Sequence, residues 1–483
     1  MSLKYGDKLM SIGGRMTAAS AGEWLTSVNP ATEEPIGRAP AATREDVGRA
    51  IAEAEAAQPG WAALSIWQRG ALLRQVAAAI RVKAEDVKRI EAEDSGNTIA
   101  RLNGDMHKAS HHFEYFAGLA SEMKGDTVPG TARGLHLTER VPWGVVGRIV
   151  PFNHPFMFAA SSLAAPLVAG NTVVLKSPET SPLTAPIVAE VCNQILPPGV
   201  VNLVSGLGIP AGDAIARDPR VRRIGFTGSI KTGLAIQRAA AEVCVKNITL
   251  ELGGKNPLII CPDADLDAAA IGAVAGMNFA WAGQSCGSTS RILIHESIYD
   301  RVVEAIKAKV EAIKVGDPLD PAAEMGPLNS EAQYRKVTAY IDAGHADGAR
   351  LISGGGRPAG ERFKRGYWVA PTVFADVTMD HRIGREEIFG PVMSLMKWSD
   401  FDDAIAMANA VDYGLTAAIY TRDIGRALGA ARRFRAGVVA INHTVMHFVG
   451  LPFGGHKNSG IGGEEGLDEL LSYTRSKTLH ISL

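Results

Sequence analysis

Cysteine is scarce in this sequence, and no two cysteines are close neighbours. Only four of the 483 residues are cysteine, and none of them forms a Cys-x-x-Cys pair. A disulfide framework and a zinc site are therefore not indicated. Cys192, Cys244 and Cys261 stand in apolar surroundings and are interpreted as small buried hydrophobic residues. Cys286 differs, because small and polar residues surround it in segment 282–288 and indicate an accessible loop.

The chain also lacks an excess of charge of either sign. Its 50 Lys and Arg residues nearly balance its 51 Asp and Glu residues, so that the net charge is -1. No basic field would attract nucleic acid or anionic lipid. No apolar run is long enough to cross a bilayer, and the first residues lack the apolar core of a signal peptide. We therefore expect no nucleic-acid partner, no membrane partner and a cytoplasmic location.

What the chain does contain is the composition of a globular protein with more than one domain. Hydrophobic residues make up 46% of the chain and charged residues 21%, which provides for a sizeable core. A length of 483 residues exceeds that of one typical domain and indicates two or three units.

The hydrophobic periodicity predicts helices first and an α/β alternation afterwards. The first ~120 residues are interpreted as helices, with Thr43 as the cap of one and residues 65–68 as the capping box of another. From about Gly144 onward, short β-branched runs alternate with helical stretches such as 301–313, which indicates parallel sheets flanked by helices. The predicted strands form two series, 145–150, 172–175, 200–204, 223–226 and 248–250, then 257–260, 291–295, 392–396, 417–420 and 437–441.

Two further extended segments, 135–141 and 476–483, belong to neither series. Because unpaired strands need a partner, we interpret both as lone strands that serve oligomerisation. The predicted fold class is therefore α/β, with two α/β domains and a small β segment.

Several strands of the first series end in residues suited to chemistry, at the edge where open parallel sheets bind ligands. Residues 151–155, 176–179 and 251–255 each follow such a strand. Residues 227–229 precede a predicted helix, and their free backbone N–H groups suit a phosphate oxygen. The pattern Gly206-x-Gly208-x-x-x-Gly212 is compatible with close approach of a cofactor, but a plain strand-to-helix turn explains it equally well.

Six motifs occur in the order that one known family has them. They are 151–155 (PFNHP), 226–229 (FTGS), 251–257 (ELGGKNP), 283–286 (GQSC) with Arg291, 386–391 (EEIFGP) and 452–460 (PFGGHKNSG). Through these motifs the chain resembles the aldehyde dehydrogenase superfamily over nearly its full length.

The resemblance implies a domain organisation and an assembly. We expect a Rossmann-like coenzyme domain over residues 1–123 and 143–253, and an α/β catalytic domain over 254–455. A β oligomerisation segment over 124–142 and 470–483 would bridge subunits in a homodimer or homotetramer.

The resemblance also implies a role for each catalytic group. A free aldehyde has no heteroatom electron pair able to expel hydride, so a nucleophile must attack first, and the family's nucleophile falls on Cys286. The Asn153 amide and the Cys286 backbone N–H would bind the oxyanion. Glu251 would activate the water that hydrolyses the thioester, with Gly253 and Gly254 leaving it room to move.

For the cofactor the resemblance implies NAD. Glu179 accepts hydrogen bonds from ribose hydroxyl groups and would repel a 2′-phosphate, so NAD is favoured over NADP. The resemblance places Lys176, like Glu179, at the adenosine ribose. The full set of expected cofactor residues is Val150, Pro151, Phe152, Lys176, Glu179, Gly208, Gly212, Phe226, Thr227, Gly228, Ser229, Leu252, Glu387 and Phe389.

The substrate is expected to be a small-molecule aldehyde of apolar or aromatic character, because the mouth of the implied tunnel is rich in aromatic residues. That mouth comprises Phe156, Phe158, Ser285, Gly287, His447 and Phe448. No metal is expected: His107, His111 and His112 have helical spacing, but no carboxylate or cysteine completes a site, and a solvated helix face explains them.

Three positions depart from the family pattern. Phe152 stands where many members have Trp, and Gly463 replaces a frequent Arg. Ser162 stands where many relatives have a Lys that relays protons with a Glu matching Glu464. The proton route must therefore use water or be absent.

Three alternative functions remain open at this point. A CoA-acylating relative would release the thioester to CoA, but such members typically lack a carboxylate at the position of Glu251. A crystallin-like binding protein on the same fold would not need Cys286, Glu251 and Asn153 together. A thiol-dependent esterase without cofactor would use the same Cys286, but it would leave Lys176, Glu179 and Glu387 unexplained.

Overall fold

The computed structural model describes residues 3–128, 130, 133–444 and 447–482. The strands are β1 Met10–Ile12, β2 Arg15–Thr17, β3 Trp24–Asn29, β4 Glu34–Pro40, β5 Thr127–Val128, β6 Gly134–Pro142, β7 Val145–Ile149, β8 Thr172–Lys176, β9 Val201–Val204, β10 Val221–Thr227, β11 Asn247–Glu251, β12 Pro257–Ile260, β13 Arg291–His295, β14 Arg350–Ser353, β15 Thr372–Ala375, β16 Val392–Trp398, β17 Tyr413–Gly414, β18 Thr416–Tyr420, β19 Val438–Ile441, β20 His456–Lys457, β21 Gly460–Ile461 and β22 Thr474–Ser482. The α-helices are α1 Arg44–Ala63, α2 Ile66–Ser95, α3 Ile99–Leu119, α4 Pro155–Val168, α5 Ala185–Ile195, α6 Asp213–Arg217, α7 Ile230–Ala241, α8 Leu266–Gly276, α9 Tyr299–Glu311, α10 Glu331–Ala346, α11 Arg382–Arg385, α12 Phe401–Asn409, α13 Ile424–Arg433 and α14 Leu467–Ser472.

The first sheet is doubly wound. Within the described chain its strand order is β2-β1-β9-β8-β7-β10-β11-β21, and the strands from β9 to β11 run parallel. Helices α2 to α5 and helices α1, α6 and α7 contribute to separate apolar cores. Because its parallel strands are covered on both faces, every residue of β7, β8 and β9 is buried. The strand order reverses between β7 and β10, which opens a crevice at their carboxyl ends.

The second sheet has the order β14-β15-β16-β13-β12-β18-β19 in the described residues, with β15 through β19 parallel. Its large core includes residues of α8, α9, α10, α12 and α13. Both predicted strand series and the predicted helix near 301–313 are therefore confirmed, with ends that differ by a few residues. The sequence analysis missed β14 and β15, which are only four residues long and show no alternation of buried and exposed positions.

The two segments interpreted as lone strands pair with each other. β22 runs antiparallel to β6 over the whole length of both strands, and β5 adds a third strand. The prediction that each is unpaired within the chain was therefore wrong, because segments more than 300 residues apart complete one sheet. Of the expected bridging segments 124–142 and 470–483, Pro129, Thr131, Ala132 and Leu483 lie outside the described residues.

The beginning of the chain departs from the helical prediction. β1 and β2 join the edge of the first sheet, and β3 pairs with β4 in a separate hairpin. The helices themselves begin where the capping residues indicated, since Thr43 and Ser65 each form a capping box with the side chain three residues later.

Burial of the cysteines follows the sequence interpretation with one exception. Cys192 and Cys261 are buried, whereas Cys244 is partly exposed just after α7. Cys286 is also partly exposed and lies in a loop, as expected. In the ranges that the structure covers, no helix is long and apolar enough to cross a membrane.

Candidate active site

The candidate site lies where the carboxyl edge of the first sheet meets the amino edge of the second. The Asn153 loop follows β7, and Glu251 is the last residue of β11. Cys286 and Glu387, by contrast, precede strands β13 and β16 of the second sheet. The sequence analysis anticipated the first edge from the strand-end rule. It gave no reason to expect that the second sheet would contribute its amino edge.

Cys286 is held in place through its backbone. Its carbonyl oxygen accepts a hydrogen bond from Asn256 Nδ2 at 2.7 Å, and a Cβ on Gly254 would come within 2.5 Å of the same oxygen. Burial raises the pKa of the Cys286 thiol to about 12, and the charges of Glu387 and Glu251 act in the same direction. The isolated thiol is therefore protonated at neutral pH.

Asn153 lies beside the loop that carries Cys286. Its Nδ2 donates to the carbonyl oxygen of Gln284 at 2.9 Å, while the backbone carbonyl oxygen of Asn153 accepts from Asn97 Nδ2 at 2.8 Å. A primary amide has two N–H donors, so one of them remains for a further acceptor.

Glu251 is a buried carboxylate whose two oxygens find no hydrogen-bond donor among the described residues. Burial raises its pKa well above the usual range, and the charges of Glu464, Glu469 and Glu465 raise it further. A buried polar group without a partner is costly and is characteristic of functional positions.

The glycines after Glu251 are explained by crowding. A Cβ on Gly253 would lie 2.1 Å from Glu387 Oε2, and one on Gly254 would meet the Cys286 carbonyl oxygen. Their small size therefore lets the two sheets approach each other. The expectation that they leave Glu251 room to move stays a prediction.

A buried arginine stands behind Glu251. Arg148 is 1% exposed; its Nη2 donates to Glu464 Oε1 at 2.7 Å and its Nη1 to the Tyr473 hydroxyl at 2.7 Å. A Cβ on Gly225, its partner on β10, would lie 2.0 Å from Arg148 Nη1, so glycine makes room for the guanidinium. Ser162, on α4, is also buried, and its hydroxyl group has no hydrogen-bond partner among the described residues.

The residues expected at the adenosine ribose are neighbours. Lys176 Nζ, on a residue that is 2% exposed, donates to the Ser177 carbonyl oxygen at 3.0 Å and lies 3.3 Å from Glu179 Oε2. Burial lowers the pKa of Lys176. The Glu179 side chain is 47% exposed and can receive a ligand. The hydroxyl groups of Ser177 and Thr227 are buried without a partner in the described residues, which fits a ligand rich in hydroxyl and phosphate groups.

The turn after β10 has the form expected of an anion site. Ser229 caps α7 and accepts from Thr232 N at 3.3 Å, and a Cβ on Gly228 would come within 2.4 Å of the Phe226 ring. Crowding does not require glycine at positions 208 and 212. A Cβ on Gly208 would meet nothing within 4 Å, and one on Gly212 would come no closer than 3.6 Å to the Lys176 side chain.

Three other expected cofactor residues directly follow strands of the first sheet, Val150 and Pro151 after β7 and Leu252 after β11. Val150 N donates to the Lys176 carbonyl oxygen at 3.2 Å, and Leu252 N to that of Ser459 at 2.8 Å. Pro151 follows Val150 and is half-buried.

Glu387 and Phe389 reach the same junction from the second sheet. Glu387 Oε1 accepts from Gly254 N at 2.9 Å, and burial raises its pKa. The Phe389 ring meets that of Phe152 edge to face, with centroids 5.8 Å apart.

The residues expected at the mouth of a tunnel do not all line an opening. Phe156 is 1% exposed and belongs to the core of the first sheet, so its inclusion was wrong. Phe158, Ser285 and Gly287 are half-buried, and Phe448 is 63% exposed.

His447 contacts Phe453 with ring centroids 4.3 Å apart and hydrogen-bonds to Glu465 at 3.0 Å. Lys108 also binds Glu465.

The histidines of α3 are not a uniformly solvated face. His107 and His111 stack with centroids 5.6 Å apart, but His112 is buried, and burial lowers its pKa to about 3. His112 was therefore misinterpreted. Across the described ranges, no group of three His, Cys, Asp or Glu side chains could hold a metal ion.

Sequence reasoning missed Asn256, Arg148 and the pair of His154 and Asp105, whose Nδ1 and Oδ2 atoms lie 2.8 Å apart. Asn256 and His154 lie inside quoted motifs, which was the available signal. Their contacts join segments far apart in the chain, so the sequence alone could not define their roles.

Comparison with known proteins agrees with this geometry. The family described as aldehyde dehydrogenase matches residues 16–479. The aldehyde dehydrogenase tropH of Talaromyces stipitatus is 42% identical over 480 residues, which covers 96% of this chain and 92% of that protein.

Two solved structures superpose closely. The NAD-dependent aldehyde dehydrogenase from Sinorhizobium meliloti has a TM-score of 0.96 at 38% identity, covering 99% of this chain and 95% of that one. PnpE from Pseudomonas sp. WBC-3, in complex with nicotinamide adenine dinucleotide, has a TM-score of 0.96 at 36% identity, covering 98% and 97%. Fold and site thus define an α/β oxidoreductase with an aldehyde-dehydrogenase-like architecture. The chain belongs to the aldehyde dehydrogenase family.

The buried Arg148 generates a prediction about stability. Replacing Arg148 by Met leaves the Glu464 carboxylate largely buried and unpaired, and we expect a loss of about 3–5 kcal/mol in the free energy of unfolding. Urea unfolding followed by circular dichroism measures this loss. Arg81→Met, which breaks an exposed pair with Glu114, is the control and should cost no more than about 1 kcal/mol.

A double variant separates charge from packing. If the unpaired charge causes the loss, adding Glu464→Gln to Arg148→Met restores part of the stability. Equal stability of the single and double variants would contradict this explanation.

Proposed function

We propose that this protein oxidises an aldehyde to the carboxylic acid with NAD, through a covalent intermediate on Cys286. The observation that carries the proposal is the convergence of a thiol, an amide with a spare donor and an unpaired buried carboxylate at one junction. Membership of the aldehyde dehydrogenase family supports the reaction class.

The reaction begins with attack of the Cys286 sulfur on the carbonyl carbon. Because the thiol starts protonated, its proton must move to a base as the bond forms. Glu251 is the proposed acceptor, since its charge contributes to the raised pKa of the thiol and both of its oxygens lack donors.

Attack converts the carbonyl oxygen into an oxyanion, which needs hydrogen-bond donors. The second N–H of the Asn153 amide and the backbone N–H of Cys286 are the proposed donors. The hydrogen bond from Asn153 Nδ2 to Gln284 at 2.9 Å fixes the amide without using both hydrogens. A bound dinucleotide supplies the acceptor for the hydride that this tetrahedral adduct expels.

Glu251 first releases the proton that it took from the thiol, and as a carboxylate it then deprotonates the water that hydrolyses the thioester. Glu464 is engaged by Arg148, and Ser162 offers no cation, so we infer that the proton reaches solvent through water.

The cofactor residues support NAD. Glu179 is half-exposed beside Lys176, where it can accept hydrogen bonds from both ribose hydroxyl groups. A 2′-phosphate would meet its negative charge, which disfavours NADP. Ser177 and Thr227 offer the buried hydroxyl groups, and Ser229 caps the helix that faces the pyrophosphate.

The proposed domains follow the division of the chain between the two large sheets. We propose the coenzyme domain for residues 1–123 and 143–253 and the catalytic domain for 254–455.

An apolar or aromatic aldehyde suits the half-buried rings of Phe158 and Trp281 next to the thiol loop.

The three-stranded sheet is proposed to join subunits of a homodimer or homotetramer. Its edge strand β22 is almost wholly exposed, and a long exposed edge favours pairing with another chain.

Two variants test the chemistry. Cys286→Ala should lower NAD-dependent aldehyde oxidation at least about a thousandfold because it removes the nucleophile. Glu251→Gln should lower both the initial burst of NADH and steady turnover about a hundredfold, because deprotonation of the thiol and hydrolysis of the thioester both need the base. NADH absorbance measures both, and Cys244→Ala, which alters a partly exposed cysteine, is the control.

The pH profile gives a further check on Glu251. Its carboxylate acts only when ionised, and burial raises its pKa above 4.5, so kcat should fall with decreasing pH well above that value. Turnover that required CoA would instead assign an acylating dehydrogenase.

The nucleotide preference is testable at Glu179. Glu179→Gln removes the repulsion of a 2′-phosphate, and the ratio of kcat/KM for NADP to that for NAD should rise about tenfold. Glu190→Gln, an exposed acid on α5, should leave the ratio unchanged. A wild-type enzyme that prefers NADP would contradict the assignment.

The assembly is testable on β22. Thr478→Pro removes a backbone donor from this edge strand and should lower the molar mass in light scattering, whereas Thr478→Ala should not. A wild-type monomer would exclude the proposed role of the strand.

A further inference from the structure

One polar side chain stands among the aromatic rings next to the proposed reaction centre. His154 directly follows Asn153, and its ring meets Phe158 at 6.0 Å and Trp281 at 5.1 Å between centroids. The Trp281 carbonyl oxygen accepts from Gln284 N at 2.9 Å, so this ring packs on the turn that leads into Cys286. The imidazole therefore packs against the segment that leads into the thiol loop.

Asp105 determines which nitrogen of His154 carries the hydrogen. The Nδ1 atom lies 2.8 Å from Asp105 Oδ2, and a carboxylate can only accept a hydrogen bond. Nδ1 must therefore be the donor, and in the neutral ring Nε2 is left as an acceptor. Asp105 is 6% exposed and lies on α3, a helix anchored by its own packing, which fixes the ring in this orientation.

The Nε2 atom of His154 is the ring nitrogen that the bond to Asp105 leaves available. Nothing in the described part of the chain donates to it, yet it is not one of the buried orphan atoms, and the His154 side chain keeps 13% exposure. A purely structural role for the pair would be complete with the bond from Nδ1 to Asp105. That role does not account for an oriented and partly exposed acceptor beside the rings of Phe158 and Trp281.

We propose that His154 Nε2 accepts a hydrogen bond from a hydroxyl group on the substrate, which makes hydroxyl-substituted aromatic aldehydes the preferred class. The aromatic ring of the substrate packs among Phe158 and Trp281, and its hydroxyl group meets the imidazole. A site built to hydrogen-bond a hydroxyl group discriminates against analogues that lack it, because the acceptor is then desolvated without a partner. This inference rests on the proposed aldehyde oxidation and specifies its substrate.

The test compares kcat/KM for benzaldehyde, the three hydroxybenzaldehydes and the three matching methoxybenzaldehydes, with NAD and the full-length enzyme. We expect at least one hydroxy isomer to exceed both benzaldehyde and its methoxy counterpart about tenfold. The methoxy series is decisive, because a methoxy group cannot donate. Equal kcat/KM for each of the three hydroxy isomers and its methoxy counterpart would overturn the proposal, since it would mean that Nε2 does not act as an acceptor.

A variant locates the preference. In His154→Phe the ratio of kcat/KM between the preferred hydroxy isomer and benzaldehyde should fall to about one. His345→Phe, which alters an exposed histidine that packs on Phe374, should leave the wild-type ratio in place. A preference that survives in His154→Phe would assign it to another residue.

The two levels of the proposal fail in different ways. If neither these aldehydes nor an aliphatic series reduces NAD, the proposed function itself fails. If aldehydes are oxidised without any preference for the hydroxyl group, only the role of His154 is lost. Should His154→Phe not fold, the comparison of hydroxy and methoxy substrates on the wild-type enzyme still decides the question.

Discussion

The side-chain amide of Asn256 joins three segments that are far apart in the sequence. Its Nδ2 donates to the carbonyl oxygens of Cys286 and Ser288 at 2.7 and 2.9 Å, and its Oδ1 accepts from Thr416 N at 3.0 Å. Because Asn256 immediately precedes β12, this one side chain fixes the thiol loop to the amino edge of the second sheet. Gly254 lets the loop approach, since a Cβ there would lie 2.5 Å from the Cys286 carbonyl oxygen. The position of the sulfur, and hence of every group that must meet it, depends on this contact.

Two buried arginines of the first sheet hold the C-terminal segment of the chain in place. Arg148 binds Glu464 and Tyr473, and the Arg223 guanidinium lies 4.7 Å from the centre of the Tyr473 ring. Both arginines belong to strands of the first sheet, so the C-terminal segment is tied behind Glu251. Burial, with the charge of Glu464, also raises the pKa of Glu469 to about 8. This concentration of buried acids is tolerable because a cation stands among them.

The features that could be predicted from the sequence are those that depend on residues only a few positions apart. The caps at Thr43 and Ser65 and the parallel strands were identified because hydrophobic period and capping residues act within a few positions. The family motifs brought Cys286, Asn153 and Glu251 to attention, and the structure brings their loops to one junction. What could not be predicted rests on distant contacts: the pairing of β6 with β22, the use of the amino edge of the second sheet, and the bond between His154 and Asp105. Short strands such as β1 and β15 carry too few residues to show a period.

The electrostatics of the proposed reaction follow from burial. The pKa values of the Cys286 thiol and the Glu251 carboxyl are both raised, chiefly because each charged form is poorly solvated. Burial thus opposes ionisation of either group alone. Transfer of a proton from the thiol to the carboxylate, however, leaves the number of buried negative charges unchanged, so much of the desolvation cost cancels. The spare donor of Asn153 acts only once the charge has passed from sulfur to the substrate oxygen, which is where a fixed donor lowers the barrier most.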